Sequence, residues 1–173
     1  MEVVTLLFCG YFGDKLRNRI LVSTSGLLLA ILGVALIVGL PLGNNTGRLV
    51  GYYLTQASPT PFVCFLSLIS TNVAGYTKKT TCASMYLIAY CVGNIIGPQT
   101  FRPKDAPRYV PAEITILVCW IVCLFIMLFV YLWCRVQNKK KEEVRSRPDY
   151  VRLENQEWLD LTDRENPEFV YTL

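Results

Sequence analysis

The 173-residue chain contains no histidine. That removes the side chain that serves most often as general base and metal ligand, so histidine-dependent hydrolytic triads and histidine-ligated metal centres are excluded. None of its seven cysteines forms a Cys-x-x-Cys pair, and most lie inside apolar runs, where free cysteine behaves as a small hydrophobe. Cys119 and Cys123 share a helical face and are read the same way, so no metal and no cofactor is expected. Charge is also missing over long stretches: no Asp, Glu, Lys or Arg falls within 20–42, 49–77, 80–101 or 114–134. About 20 predominantly apolar residues cross the hydrocarbon core of a bilayer, and each of these runs is long enough.

With 53% hydrophobic residues, 17% charged residues and a mean hydropathy of +0.36, the chain reads as an all-α membrane protein whose first partner is the lipid bilayer. The net charge of +4 gathers in loops and tail, which fits orientation in a membrane and not a nucleic-acid partner. An enzyme reading finds no support without histidine or clustered carboxylates at membrane depth.

The run 49–77 is broken by Ser58-Pro59-Thr60-Pro61. At helical spacing Tyr52, Gln56, Thr60, Ser67 and Thr71 fall on or near one face. Polar groups of this kind are costly against lipid, so the face is expected to look into protein or a water-filled cavity, with Pro59 and Pro61 freeing backbone carbonyls there. Two readings stand side by side: a cavity wall of a transport site, and a structural kink with Ser, Thr and Gln bonding between helices.

In chain order, 1–13 is an apolar segment about half the length of a span. It has neither a basic leader nor a small-residue cleavage site, and is expected to be part of a longer helix. A charged turn follows at 14–19, then a span at 20–42 with Gly26, Ala30 and Gly33 on one face for close helix contact. Asn44-Asn45-Thr46 fits the glycosylation acceptor pattern, but the loop is tight against the membrane and is expected to be unmodified. The span 80–101 carries Tyr86, Tyr90 and Asn94 at i, i+4 and i+8 and a Gly93-x-x-x-Gly97 pair, and Pro98 closes it. After a proline-rich loop comes the uniformly apolar span 114–134, stopped by Arg135 and Lys139-Lys140-Lys141. The tail 135–173 is expected to be weakly ordered, apart from one short helix near Leu153 to Asp160.

Lys and Arg number three in the Asp14 turn, two at Lys78-Lys79 and six from Arg135 to Arg147, against one at Arg48 and three between Gln99 and Glu113. The positive-inside bias therefore puts the Asp14 turn, Lys78-Lys79 and the C-terminus in the cytoplasm. Alternation leaves the first segment incomplete, so the chain is expected to be the C-terminal piece of something larger.

Gly10-x-x-x-Asp14-Lys15-x-x-x-Arg19 resembles the signature loop of the major facilitator superfamily, with Arg17 where that family often has glycine. Gly51-Tyr52-Tyr53-Leu54, Asn72-Val73-Ala74-Gly75-Tyr76-Thr77-Lys78-Lys79, the run Tyr90 to Gln99 and the run Leu161 to Phe169 closely resemble the fungal allantoate permease group of the anion:cation symporter family. The resemblance implies the C-terminal portion of a twelve-helix major facilitator fold, from the end of helix eight through helix twelve, with an N-terminal helical half as missing partner. It further implies a multi-pass protein of the plasma membrane that carries a small organic anion, such as allantoate, pantothenate or nicotinate, together with a proton. The expected substrate pathway is Tyr52, Gln56, Thr60, Asn72, Tyr86, Tyr90 and Asn94. No charge lies inside a span, so the proton carrier and the anion-pairing cation must come from the absent half or from loops. One half has nothing to rock against, and this chain alone is expected to be inactive. The alternative is a small four-helix membrane scaffold or interaction protein that recruits partners through its tail.

Overall fold

The computed structural model describes residues 1–41, 43–106, 108–148, 150 and 161–173. Regular structure among these residues is helical throughout: α1 (Glu2–Leu16), α2 (Arg19–Gly39), α3 (Asn45–Thr55), α4 (Thr60–Asn72), α5 (Tyr76–Ile96) and α6 (Val110–Arg145). Two short 3-10 turns, Gly97–Thr100 and Pro103–Asp105, lead from α5 into α6. The all-α class expected from the uncharged runs is the class observed. Three of the helices, α2, α5 with its 3-10 extension and α6, are long and apolar enough to cross a membrane.

α2 is the hub, packed against α1, α3, α4 and α6. The reason is its small-residue face. A Cβ added at Gly33 would stand 2.6 Å from the Gly51 carbonyl oxygen, one at Gly51 would stand 2.8 Å from that of Gly33, and one at Gly26 would stand 2.5 Å from Thr60 Oγ1. Ala30 between them is fully buried. Backbones that meet this closely gain dispersion contacts, the main attraction left between helices when the solvent is itself apolar. Beside the seam, Ile20 and Leu27 of α2, Cys64 and Leu68 of α4 and Met127 of α6 form the buried core.

The run 49–77 becomes two helices of 11 and 13 residues, α3 and α4, neither long enough to span alone. Pro59 and Pro61 supply no N–H, so the ladder stops there. The carbonyls are not left free, contrary to expectation. Tyr53, Leu54, Thr55 and Ala57 accept from the N–H groups of Gln56, Ala57, Ser58 and Thr60 respectively, and the Thr60 hydroxyl donates to the Ala57 oxygen at 2.9 Å. Tight i to i+3 turns close the break from within.

Helix ends also differ from the uncharged runs. α3 starts at Asn45, because the Asn44 side chain caps it by accepting from the Gly47 N–H at 3.1 Å, and this brings Arg48 into its first turn. α6 runs through Arg135 and the lysine triplet to Arg145. Its 36 residues extend about 54 Å, well beyond a hydrocarbon core of about 30 Å. Lys, Glu and Arg are good helix formers, so the charges end the apolar span without ending the helix. At the other end of the bundle, Arg108 Nη2 donates to the Val38 and Leu40 carbonyls at 3.2 and 3.1 Å, capping the last turn of α2 with a cation.

Gly33→Leu is expected to destabilise the chain by about 1–3 kcal/mol, because the added side chain meets backbone that has no room to retreat. Gly39→Ala, where nothing lies within 4 Å of the new Cβ, should change stability little. Thermal unfolding of both variants in detergent checks the contrast.

Candidate functional site

Gly10 and Asp14, expected in a loop, lie inside α1, and the turn itself is only Arg17 and Asn18. Arg17 ends the helix in the left-handed region, φ 51° and ψ 30°, and the amides of Arg17 and Asn18 return to the carbonyls of Asp14 and Gly13. Asn18 then caps α2 through the Leu21 N–H at 3.3 Å. The left-handed position is where glycine carries no Cβ penalty.

Arg19 is the joint of this corner. Its Nε and Nη2 donate to Asp14 Oδ1 at 3.0 and 2.7 Å, and its Nη1 donates to Ser67 Oγ on α4 at 2.6 Å. Asp14 is largely exposed, so the ion pair by itself contributes under about 1 kcal/mol and is easily exchanged for water. Lys15 turns away and lies over the Tyr11 ring at 5.7 Å. A cavity of about 270 Å³ opens here among α1, α2 and α4, lined by Gly10, Asp14, Arg19, Ser23, Thr60 and Ser67 among others. Residues of the signature motif and of the polar stripe thus share one cavity, although they lie far apart in sequence.

The other stripe and pathway residues are dispersed. Thr60 is 2% exposed, and its methyl and hydroxyl fill the space left by Gly26. Tyr86 of α5 stacks on Phe62 of α4 with ring centroids 5.4 Å apart, Tyr90 lies tilted against the same ring at 4.9 Å, and the Tyr86 hydroxyl donates to the Phe62 carbonyl at 3.1 Å. Tyr52 is exposed beside Tyr53. Gln56 ends α3. Asn94 donates to the Tyr90 carbonyl of its own helix. Asn72 sits at the far end of α4, away from the aromatic cluster, and is taken up by the tail.

That tail was not legible in the sequence as structure. Residues 161–173 lie across the Asp14 end of the bundle as a strap. Asn72 donates to the Thr172 carbonyl at 2.8 Å and accepts from its N–H at 2.7 Å, and Asn138 of α6 does the same with Tyr171 at 2.8 Å each way. Each carboxamide pairs as a neighbouring strand's peptide would. The Arg19 N–H donates to the Leu173 oxygen at 2.6 Å. Lys78 pairs with the buried Asp163 carboxylate, which also accepts from the Tyr171 hydroxyl at 2.8 Å, and Lys141 donates to the Asp163 and Asn166 carbonyls. Burial pushes the Asp163 carboxyl up, but the Lys78 and Tyr171 hydrogen bonds and the Lys78 charge outweigh it and hold the pKa below the ordinary value. The expected short helix near Leu153 to Asp160 lies outside the described residues.

Sequence reasoning also passed over Arg48. It is the sole charged residue between Arg19 and Lys78, it is half-buried, and its Nε has no hydrogen-bond acceptor among the described residues. Its i+4 and i+8 neighbours are Tyr52 and Gln56. The signal was present as a single cation between two uncharged runs.

Compared with known proteins, the chain is 37% identical over 168 residues to an uncharacterized transporter of Schizosaccharomyces pombe, a match covering 97% of this chain and 33% of that protein. It is 38% identical over 159 residues to the MFS-type transporter cnsL of Penicillium expansum, covering 90% and 32%. It is 39% identical over 137 residues to the allantoate permease of Saccharomyces cerevisiae, covering 79% and 25%. No family model matches the chain, and no solved structure does. The apolar helices mark a multi-pass membrane protein, and these relatives are named as transporters. The chain belongs to the major facilitator superfamily, within its allantoate-permease-like group, and spans about a quarter to a third of the length of these relatives.

Arg17→Gly should raise stability by about 1 kcal/mol by relieving the left-handed backbone, read as a higher unfolding temperature. Asn72→Ala removes two bonds to the strap and should cost about 1–3 kcal/mol, with faster proteolytic cleavage of the tail. Because the Asp163 pKa is depressed on folding, its contribution is present above the unfolded value and lost as pH falls through the folded one. Strap docking should therefore hold from neutral pH down to the ordinary aspartate value of 3.8 and loosen only below it. Asp163→Asn should weaken docking at neutral pH and abolish this acid step, followed by hydrogen exchange of the Tyr171 and Thr172 amides.

Proposed function

We propose that the chain supplies one wall of a permease that carries a small organic anion, of the allantoate, pantothenate or nicotinate type, inward with a proton across the plasma membrane. The observation that supports an anion over a neutral solute is Arg48. A half-buried guanidinium without an acceptor at its Nε gains from a carboxylate, which a planar fork binds through two hydrogen bonds. Tyr52 and Gln56 continue the same helical face inward from it, and their amide and ring groups suit a substrate that joins a carboxylate to amide or heteroaromatic groups. In this reading Thr60, Tyr86, Tyr90, Asn94 and Asn72 line the rest of the path or hold its walls. The permease named among the relatives transports allantoate, and this gives the first substrate to try.

The uncharged spans leave the proton carrier to Asp14 or to the helices that relatives possess beyond this match. Asp14 and Arg19 form an exposed ion pair that a change of helix position reopens, and the Ser67 contact transmits the change to α4. The Asp14 turn, Lys78-Lys79 and the strap face the cytoplasm, as the excess of Lys and Arg there favours.

The test is uptake of labelled allantoate by cells lacking their own permease. A chimera joining the preceding part of the yeast allantoate permease to this chain is expected to take it up, faster at acidic external pH, whereas this chain alone is expected not to. Arg48→Gln in the chimera should reduce uptake at least about tenfold, the effect of losing about 1.4 kcal/mol or more of a charge-assisted bond. A correctly inserted chimera that takes up a neutral or cationic solute but no organic anion overturns the reading.

A further inference from the structure

A second cavity, of about 360 Å³, lies on another side of α4, under the strap. Phe65, Leu68, Ile69 and Asn72 bring one face of α4 to it, whereas Thr60, Cys64 and Ser67 turn another face to the Asp14 cavity. The opposite wall is Phe129 and Trp133 of α6. The size is that of a small-molecule site, and the lining has the usual character of apolar walls with a few polar groups at one end. Phe129 is 68% exposed, so the apolar floor opens sideways, in the direction where a spanning helix meets acyl chains.

The polar end is a mouth formed by Lys78, Asp163 and Arg164. The Asp163 side chain is 5% exposed and committed to Lys78 and the Tyr171 hydroxyl, so its charge is offset inside the wall. Arg164 is exposed and has no ion-pair partner among the described residues. Among the described residues that line the mouth, the unpaired charge is therefore that of Arg164. Lys79, Lys139 and Lys140 are exposed at the same end of the bundle beside the exposed Glu142, Glu143 and Glu165, and the six Lys and Arg from Arg135 to Arg147 outnumber the two carboxylates of that stretch. A soluble anion would satisfy Arg164 but leave the aromatic walls unfilled. A zwitterionic lipid would fill the walls but place no net negative charge at the cation.

From this we propose that the cavity between α4, α6 and the strap holds a single anionic membrane lipid, its acyl chain along Phe65, Phe129 and Trp133 and its headgroup against Arg164 and the exposed part of Lys78. Basic pockets between membrane helices bind anionic headgroups in this way. The site shares only Asn72 with the residues assigned to the organic-anion path, and it does not depend on that reading. The lipid would brace the strap against α4 and α6 from the bilayer side.

The test is tryptophan quenching in nanodiscs. Trp120→Phe combined with Trp158→Phe leaves Trp133 as the one emitter, and phosphatidylglycerol or phosphatidylcholine brominated on the acyl chain is added at a few mole per cent to unlabelled phosphatidylcholine. Brominated phosphatidylglycerol is expected to quench Trp133 saturably and about threefold or more beyond brominated phosphatidylcholine, as selective occupancy by an anionic lipid requires. Arg164→Gln, at an exposed position that leaves the Lys78–Asp163 pair in place, should remove most of the difference, and soluble glycerol phosphate should not compete. Equal quenching by the two lipids overturns the proposal, as does reversal by glycerol phosphate or by allantoate, or no quenching at all because protein covers the groove.

Discussion

The packing depends on how closely α2 approaches its neighbours. Where Gly33 faces Gly51 and Gly26 faces Thr60, no side chain stands between the helices. Lipid offers little hydrophobic reward for bringing two apolar helices together, so contact must come from fit, and fit is greatest where backbone meets backbone. The broken element α3–α4 is held along α2 on both sides of its break, and α6 completes the core through Met127. The orientation of the polar groups follows: with Thr60 committed to the seam, Ser67 faces Arg19 and Phe62 faces the α5 tyrosines.

Much of this was legible because membrane spans are written in an absence. Uncharged runs of sufficient length announced α2, α5 and the apolar part of α6, and the small residues of α2 announced its packing face. Helix ends were less legible. Charge marks where a span leaves lipid, whereas a helix ends where capping or backbone geometry ends it, so α6 outruns its apolar stretch and α1 runs through Asp14 to a left-handed Arg17. The proline break was readable as a break, but its carbonyls were satisfied by turns that pattern alone does not specify.

The strap shows a different limit. Its contacts join Asn72, Lys78, Asn138 and Lys141 to residues far along the chain, and no periodicity connects such positions. A polar tail with few apolar residues has the composition of a weakly ordered segment, yet two carboxamides and the ion pair of Lys78 with the buried Asp163 hold it down. Asn72 illustrates how one residue type supports different expectations: a carboxamide near the end of an uncharged helix suits a solute, and it suits a peptide group equally well, because both present a donor beside an acceptor. Arg48 and Arg19 divide the corresponding roles for cations, one without an acceptor at its Nε and the other shared between two elements.

Arg19 gives its guanidinium to α1 and α4 and its backbone N–H to Leu173. Three stretches of chain therefore meet at one residue, and the strap's far end is fastened to the helix whose glycines hold the bundle together. The Arg19 amide then acts as an internal gauge. Its solvent protection records whether the last residue of the chain is seated, so a signal taken from the start of α2 reports on the state of the chain's far end.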